Sequence, residues 1–168
     1  EHPARDKQIA STLYNAMIHP LVPYAMKGAI WYQGESNGGS NPEQYAMRLT
    51  AMVEGWREAW GIDFYFYYCQ LANYRDANDQ PLEETEGWVM VQDQMRLALG
   101  ITKSGMAVLN DIGEAKDIHP KNKIDAGKRL SLWALSKTYG RDLVYSGPLY
   151  KKSTIKGDKV IITFDHVG

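Results

Sequence analysis

The sequence of 168 residues holds a single cysteine, Cys69, which excludes an internal disulfide and the stapled architectures that depend on one. Its setting, Tyr67-Tyr68-Cys69-Gln70-Leu71, reads as buried strand, so the thiol is expected to be inert core. No apolar run approaches the ~20 residues that a membrane-spanning helix requires. No leader peptide is legible, and because the chain opens on Glu1 that absence excludes nothing. Charge of one sign is also missing: 19 Lys and Arg stand against 20 Asp and Glu. Neither nucleic acid nor an anionic membrane is an expected partner. His2, His19 and His166 show no metal-ligand spacing with Cys69 or with one another, and no phosphate-cradling G-x-x-x-x-G-K occurs. No metal and no cofactor are expected.

What is present is ordinary globular composition, 44% hydrophobic and 23% charged, in a length suited to one domain. Helices and strands alternate. Residues 5–19 carry Ile9, Leu13, Ala16 and Met17 at helical spacing, with one amide, Asn15, expected to be buried, and Pro20 and Pro23 end the run. Residues 29–32 read as a short strand buried on both faces, leading into the glycine-rich loop 33–40. Asn41 is the expected N-cap of the next helix, with Pro42 at its first position and Gln44 closing a capping box. Tyr45, Leu49, Met52, Val53, Trp56 and Trp60 form its apolar stripe, and Gly61 its C-terminal stop. Residues 62–71 make a central parallel strand, followed by a polar loop to about residue 84, a helix over 86–99 and a third strand at 106–109. Pro120 is expected to open a helix running to Gly140. Beyond Gly147 the pattern turns to a hairpin, with Lys156-Gly157-Asp158 as its turn. The expected architecture is an α/β fold: a doubly wound parallel sheet, incomplete at three strands, over residues 1–146, and the entry to a β-rich region over 147–168.

Two loops after strands carry chemistry-bearing residues, where open α/β sheets place their sites. Gly34-Glu35-Ser36-Asn37-Gly38 matches G-x-S-x-G, the pattern of a nucleophile elbow. An elbow passes straight from strand to helix, whereas Gly38, Gly39, Ser40 and Asn41 delay the helix here, and the alternative is a structural loop serine. Residues 111–119, Asp-Ile-Gly-Glu-Ala-Lys-Asp-Ile-His, end at His119 before Pro120. Asp117, Asp111 or Glu114 could orient that imidazole as the acid of a Ser-His-Asp triad does. The competing reading is an exposed cap histidine among solvated charges. The cationic residues Lys116, Lys121, Lys123, Lys128 and Arg129 read as a solvated face.

Residues 27–37, Lys-Gly-Ala-Ile-Trp-Tyr-Gln-Gly-Glu-Ser-Asn, resemble the central block of sialate O-acetylesterases within the SGNH hydrolase superfamily. Leu13-Tyr14-Asn15-Ala16-Met17-Ile18, residues 117–123 with 127–130, and Gly147-Pro148-Leu149-Tyr150 are similar to further blocks of that family. The resemblance implies a three-layer α/β/α fold and removal of O-acetyl groups from sialic acid or a related acetylated glycan. It implies His119 as general base, Asp117 as its orienting acid and Gln33 as oxyanion donor. Glu35, Asn37 and Asn15 then brace the loops or bind substrate, and Arg75 is placed to meet a substrate carboxylate. The superfamily's usual Asp-x-x-His spacing would put the acid at Lys116, so Asp111 stays a rival to Asp117. In such enzymes the serine lies in a Gly-Gln-Ser-Asn block, and no such block occurs here. The chain is therefore expected to carry the histidine half of a triad completed by a preceding segment of its own domain, to be inactive alone, and to be secreted or periplasmic. A self-sufficient hydrolase using Ser36 and a non-catalytic carbohydrate-binding module are the alternative readings.

Overall fold

A computed structural model describes residue 9, residues 11–77 and residues 87–167. Strands β1 (Gly28–Trp31), β2 (Tyr65–Cys69) and β3 (Ser104–Ala107) form one parallel sheet in the order β1-β2-β3. The register sets Gly28 against Tyr65 and Phe66 against Ser104. Parallel neighbours need crossovers, which helices α1 (Tyr45–Trp60) and α2 (Gly87–Leu97) supply, and α3 (Lys123–Trp133) follows β3. The α/β expectation and its three strands hold.

Alternation along β2 builds two cores. Phe66 and Tyr68 face Tyr45, Leu49 and Val53 of α1 and Val91 and Met95 of α2. Tyr67 and Cys69 face the other way, against Ala126, Leu130 and Trp133 of α3. Because side chains alternate with period two, one aromatic strand holds together three layers, helix, sheet and helix. Tyr68 can be buried because its hydroxyl donates to the Met95 carbonyl oxygen at 2.7 Å. Cys69 is buried and free, with burial pushing its thiol up to about 11, as expected of an inert core thiol.

Several local expectations change. β1 is not buried on both faces: Ala29 and Trp31 pack into the core, but Ile30 is 71% exposed. The α3 layer covers β2 and β3 and does not extend over Ile30. Asn41 does not cap a helix. It sits in the left-handed region at φ 51°, before a 3-10 turn at Pro42–Gln44, and Gln44 accepts from Arg48 rather than closing a capping box. Pro42, whose fixed φ suits the first position of a helical turn, opens that entry. Gly61 does end α1 at φ 65°. Pro120 does not open α3; Asn122 caps it, its Oδ1 accepting from the Asp125 backbone N–H at 3.1 Å.

The expected helix over residues 5–19 is described chiefly from Ser11 onward, the part before residue 9 lying outside the described residues, as do residues 78–86 of the polar loop. A π-helical turn at Tyr14–Ile18 runs into a 3-10 turn at His19–Leu21. Leu13, Met17 and Asn15 are all exposed. Helical spacing identifies an apolar face but not what lies against it, so the expected burial of Asn15 fails. At the other end, β4 (Leu149–Lys156) and β5 (Lys159–Asp165) form the expected antiparallel hairpin, and Gly157 at φ 63° makes its turn.

Gly105 of β3 lies under Trp133, where an added Cβ would run into the indole ring. Gly105→Ala is expected to destabilise the fold by about 1–3 kcal/mol, read as a lowered denaturation midpoint.

Candidate active site

All three parallel strands end on one edge of the sheet, so the loops at 32–41, 70–77 and 108–122 leave from that edge. Those loops hold Gln33, Arg75 and His119 in turn.

The first loop is tightly built. The Tyr45 hydroxyl donates to the Gln33 carbonyl oxygen at 2.7 Å and lies 3.4 Å from Oε1. The Gln33 amide nitrogen Nε2 donates to Asn37 Oδ1 at 2.9 Å, so Asn37 aims the amide. Burial of Tyr45 raises its phenol to about 12, which keeps it a proton donor across the physiological range. Gly34 takes φ 148°, and a Cβ there would meet Met95 Cε at 2.7 Å, so only glycine fits the turn. Its N–H donates to Glu35 Oε2 at 2.9 Å, giving Glu35 the bracing part. Ser36 is exposed on a 3-10 turn spanning Glu35–Gly39. No strand-to-helix elbow forms, and among the described residues no hydrogen bond joins Ser36 to His119. Beside this loop opens a cleft of 360 Å³ lined by Leu13, Trp31, Gln33, Asn37, Tyr45 and Arg48, among others.

The histidine loop is stitched to its neighbours. The Gly113 N–H donates to Asn73 Oδ1 at 2.6 Å, and the Arg75 N–H donates to the Ala115 carbonyl oxygen at 3.0 Å. Arg75 is held in the left-handed region at φ 74°. Glu114 bridges the backbones of Tyr74 and Asp117 and also accepts from the Lys121 N–H at 3.2 Å. Tyr74 packs on Trp88, with ring centroids 5.1 Å apart. Asp117 Oδ1 accepts the His119 backbone N–H at 2.9 Å and lies 3.7 Å from the ring Nδ1. That second distance is beyond a hydrogen bond, so the carboxylate stands beside the imidazole without bonding to it. His119 is 86% exposed at its side chain.

Asp111 is engaged elsewhere. Arg129 Nη1 and Nη2 donate to its two carboxylate oxygens at 2.6 Å each, and Nη1 also donates to the Val108 carbonyl oxygen at 2.6 Å. A bidentate pair of this kind fixes geometry as well as charge. The guanidinium holds the Asp111 carboxyl down at about 2. In this fold Asp111 is paired with Arg129 while Asp117 is the carboxylate beside His119, and Arg129 is bound at both ends of its guanidinium, which corrects its reading as part of a solvated face. Nothing in the local sequence signals the clamp, because its partners stand 18 residues apart.

Gln33, Glu35 and Asn37 thus meet in one turn, Asp117 meets His119, and Arg75 is tied by its backbone to the histidine loop. Asn15 stands outside these contacts and bonds through its backbone N–H to the Ser11 carbonyl oxygen at 2.8 Å. Among the described residues no His, Cys, Asp and Glu cluster fit to hold a metal ion occurs, and no helix is long and apolar enough to cross a membrane.

These features define an α/β protein that gathers polar, chemistry-bearing side chains along the carboxyl edge of a parallel sheet. No protein-family model matches the chain. The sialate O-acetylesterase of Rattus norvegicus is 32% identical over 173 aligned positions, covering 92% of this chain, and that of Homo sapiens is 30% identical over 93% of it. A crystal structure of a carbohydrate acetylesterase from Xanthomonas citri superposes with a TM-score of 0.83 at 40% identity, over 92% of this chain and 36% of that one. The chain is a relative of the sialate O-acetylesterases and carbohydrate acetylesterases, and it spans about a third of the length of the curated relatives it matches.

The Asp111 carboxyl, depressed in the fold, contributes stability that is present above its unfolded value of about 4 and is lost as pH falls through about 2. An NMR titration is expected to place the Asp111 midpoint near 2, and Arg129→Met to return it to about 4.

Proposed function

We propose that this chain is the histidine-bearing part of a carbohydrate esterase that removes O-acetyl groups from sialic acid, the serine nucleophile lying in a segment outside residues 1–168. One observation carries the reading: the loop with Gln33 and the loop with the Asp117–His119 pair leave the same edge of one parallel sheet.

In this reaction His119 takes the proton from the serine hydroxyl as its oxygen attacks the acetyl carbonyl. Negative charge develops on the carbonyl oxygen, and the Gln33 amide, aimed by Asn37, donates to it. An aimed donor of this kind is worth roughly 3 kcal/mol in a transition state. The sugar alcohol leaves with the proton that His119 held. Water then attacks the acetyl-serine, giving its proton to His119, and acetate departs as the serine is restored. Asp117 stabilises the imidazolium in both halves, which requires the 3.7 Å gap to Nδ1 to close when substrate is bound. Neither a metal nor a cofactor takes part.

The substrate assignment rests on the sialate esterases among the relatives, and to Arg75, whose backbone is tied to the histidine loop, we assign the sugar carboxylate. The exposed imidazole suits a surface that a serine-bearing segment of the same domain covers. Export to the periplasm or cell exterior fits an enzyme of acetylated glycans. Ser36 is not favoured as nucleophile, given its exposed 3-10 setting. A non-catalytic carbohydrate-binding role predicts no turnover at all.

Acetate release from 9-O-acetylated sialic acid by the full-length protein tests the reading. His119→Ala is expected to lose at least about a thousandfold in kcat, and Gln33→Leu about a hundredfold or more. Arg75→Ala is expected to narrow the preference for sialate over neutral acetylated sugars. Unchanged discrimination removes that role from Arg75, and undiminished turnover by His119→Ala removes the mechanism.

A further inference from the structure

Lys123 occupies an electrostatically poor position. It is the first residue of α3, where the helix dipole is positive and a cation is disfavoured. Its first-turn neighbour Asp125 does not compensate it, because that carboxylate bonds to the Asn122 side chain at 2.8 Å and to Lys128 at 3.3 Å. The Lys123 ammonium instead lies over the ring of Tyr32, 4.5 Å from its centroid. Tyr32 follows β1 and immediately precedes Gln33, whereas Lys123 stands four residues after His119. The contact therefore crosses the sheet edge from the helix behind one loop to the root of the other.

Two further observations place that ammonium across the end of β2. Tyr32 is partly buried against the core that α3 shares with Tyr67, Cys69 and Ala107. The Cys69 thiol, at the last residue of β2, feels the Lys123 charge, which works against the upward push of burial. Burial also raises the Tyr32 phenol to about 12, so the ring stays neutral and offers its electron-rich face at any ordinary pH. Around it, the other stitches of the edge join different pairs of loops. Asn73 with Gly113 and Arg75 with Ala115 tie the β2 loop to the histidine loop, and among the described residues no hydrogen bond or ion pair spans from residues 33–39 to residues 111–122.

We infer that the Lys123–Tyr32 cation–π contact is a brace that sets the distance between the Gln33 loop and the His119 loop, making both positioning residues for the chemistry on that edge. The inference rests on the proposed esterase reading for its catalytic consequence, but the brace itself is a property of the fold. Removing it leaves each loop internally intact, since Gln33 keeps Asn37 and Tyr45, and His119 keeps Asp117. What is lost is their mutual placement, and that affects turnover more than substrate binding.

The test measures amide hydrogen exchange and kinetics on the full-length protein with Lys123→Met, Tyr32→Leu, and the conservative Lys123→Arg and Tyr32→Phe. Lys123→Met is expected to speed exchange in residues 33–39, and Tyr32→Leu in residues 111–122, each effect appearing in the loop that was not mutated. Both variants are expected to lower kcat about tenfold with KM changed less than about twofold. Lys123→Arg and Tyr32→Phe are expected to keep both readouts near wild type, because each keeps a cation over a ring. Unchanged exchange in the opposite loop of a folded variant overturns the brace, and faster exchange with kcat intact overturns the positioning role of Lys123 and Tyr32. A wild-type protein without esterase activity overturns the proposed function instead, and the exchange comparison then decides the brace alone.

Discussion

Burial of β2 on both faces is the constraint on which the rest of the molecule depends. Five consecutive residues, Tyr65 to Cys69, pair with a strand on each side and hand alternate side chains to two helical layers. Phe66 and Tyr68 are fully buried among aromatic and aliphatic partners from α1 and α2. Burial of one large apolar side chain is worth roughly 1.5–3 kcal/mol, so this strand concentrates much of the available driving force. It also fixes direction. Parallel neighbours send their outgoing loops to one edge, and Gln33, Glu35, Asn37, Arg75, Asp117 and His119 all lie in such loops.

That edge is held by polar contacts of unequal strength. The Arg129 clamp on Asp111 and Val108 fixes the base of the histidine loop, while Glu114 and Gly113 tie its middle to Tyr74 and Asn73. The tip, with Asp117 and His119, stays open to solvent. Under the proposed esterase reading, a rigid base with an exposed tip suits a histidine that meets a second group, and the 3.7 Å from Asp117 to Nδ1 is the gap that reading requires to close. Gln33 is held the opposite way, with its carbonyl and its side chain both engaged by Tyr45 and Asn37.

The elements with strong local periodicity were legible from sequence. The stripe of α1, the aromatic run of β2, the stop at Gly61 and the turn at Gly157 all follow from side-chain period and backbone freedom at single residues. The caps were less so. Asn41 carries the right chemistry for an N-cap but sits left-handed, ahead of a 3-10 entry that Pro42 opens. Ile30 and Asn15 show that hydrophobic pattern reports which face is apolar, not which face is covered. In the site, the sequence favoured Asp117 beside His119 and left Asp111 a rival, and only the fold reveals that Asp111 is held by Arg129. Lys123 read as one of several solvated cations, and only the fold brings it over Tyr32. Contacts between residues far apart in sequence leave no local mark, and both of these are of that kind.

The most direct test of the account is to label the full-length protein with a fluorophosphonate and locate the adduct by mass spectrometry, using His119→Ala as the control. The account predicts a single adduct on a serine outside residues 1–168, abolished when His119 is lost. A His119-dependent adduct on Ser36 would contradict it, as would labelling that is indifferent to His119.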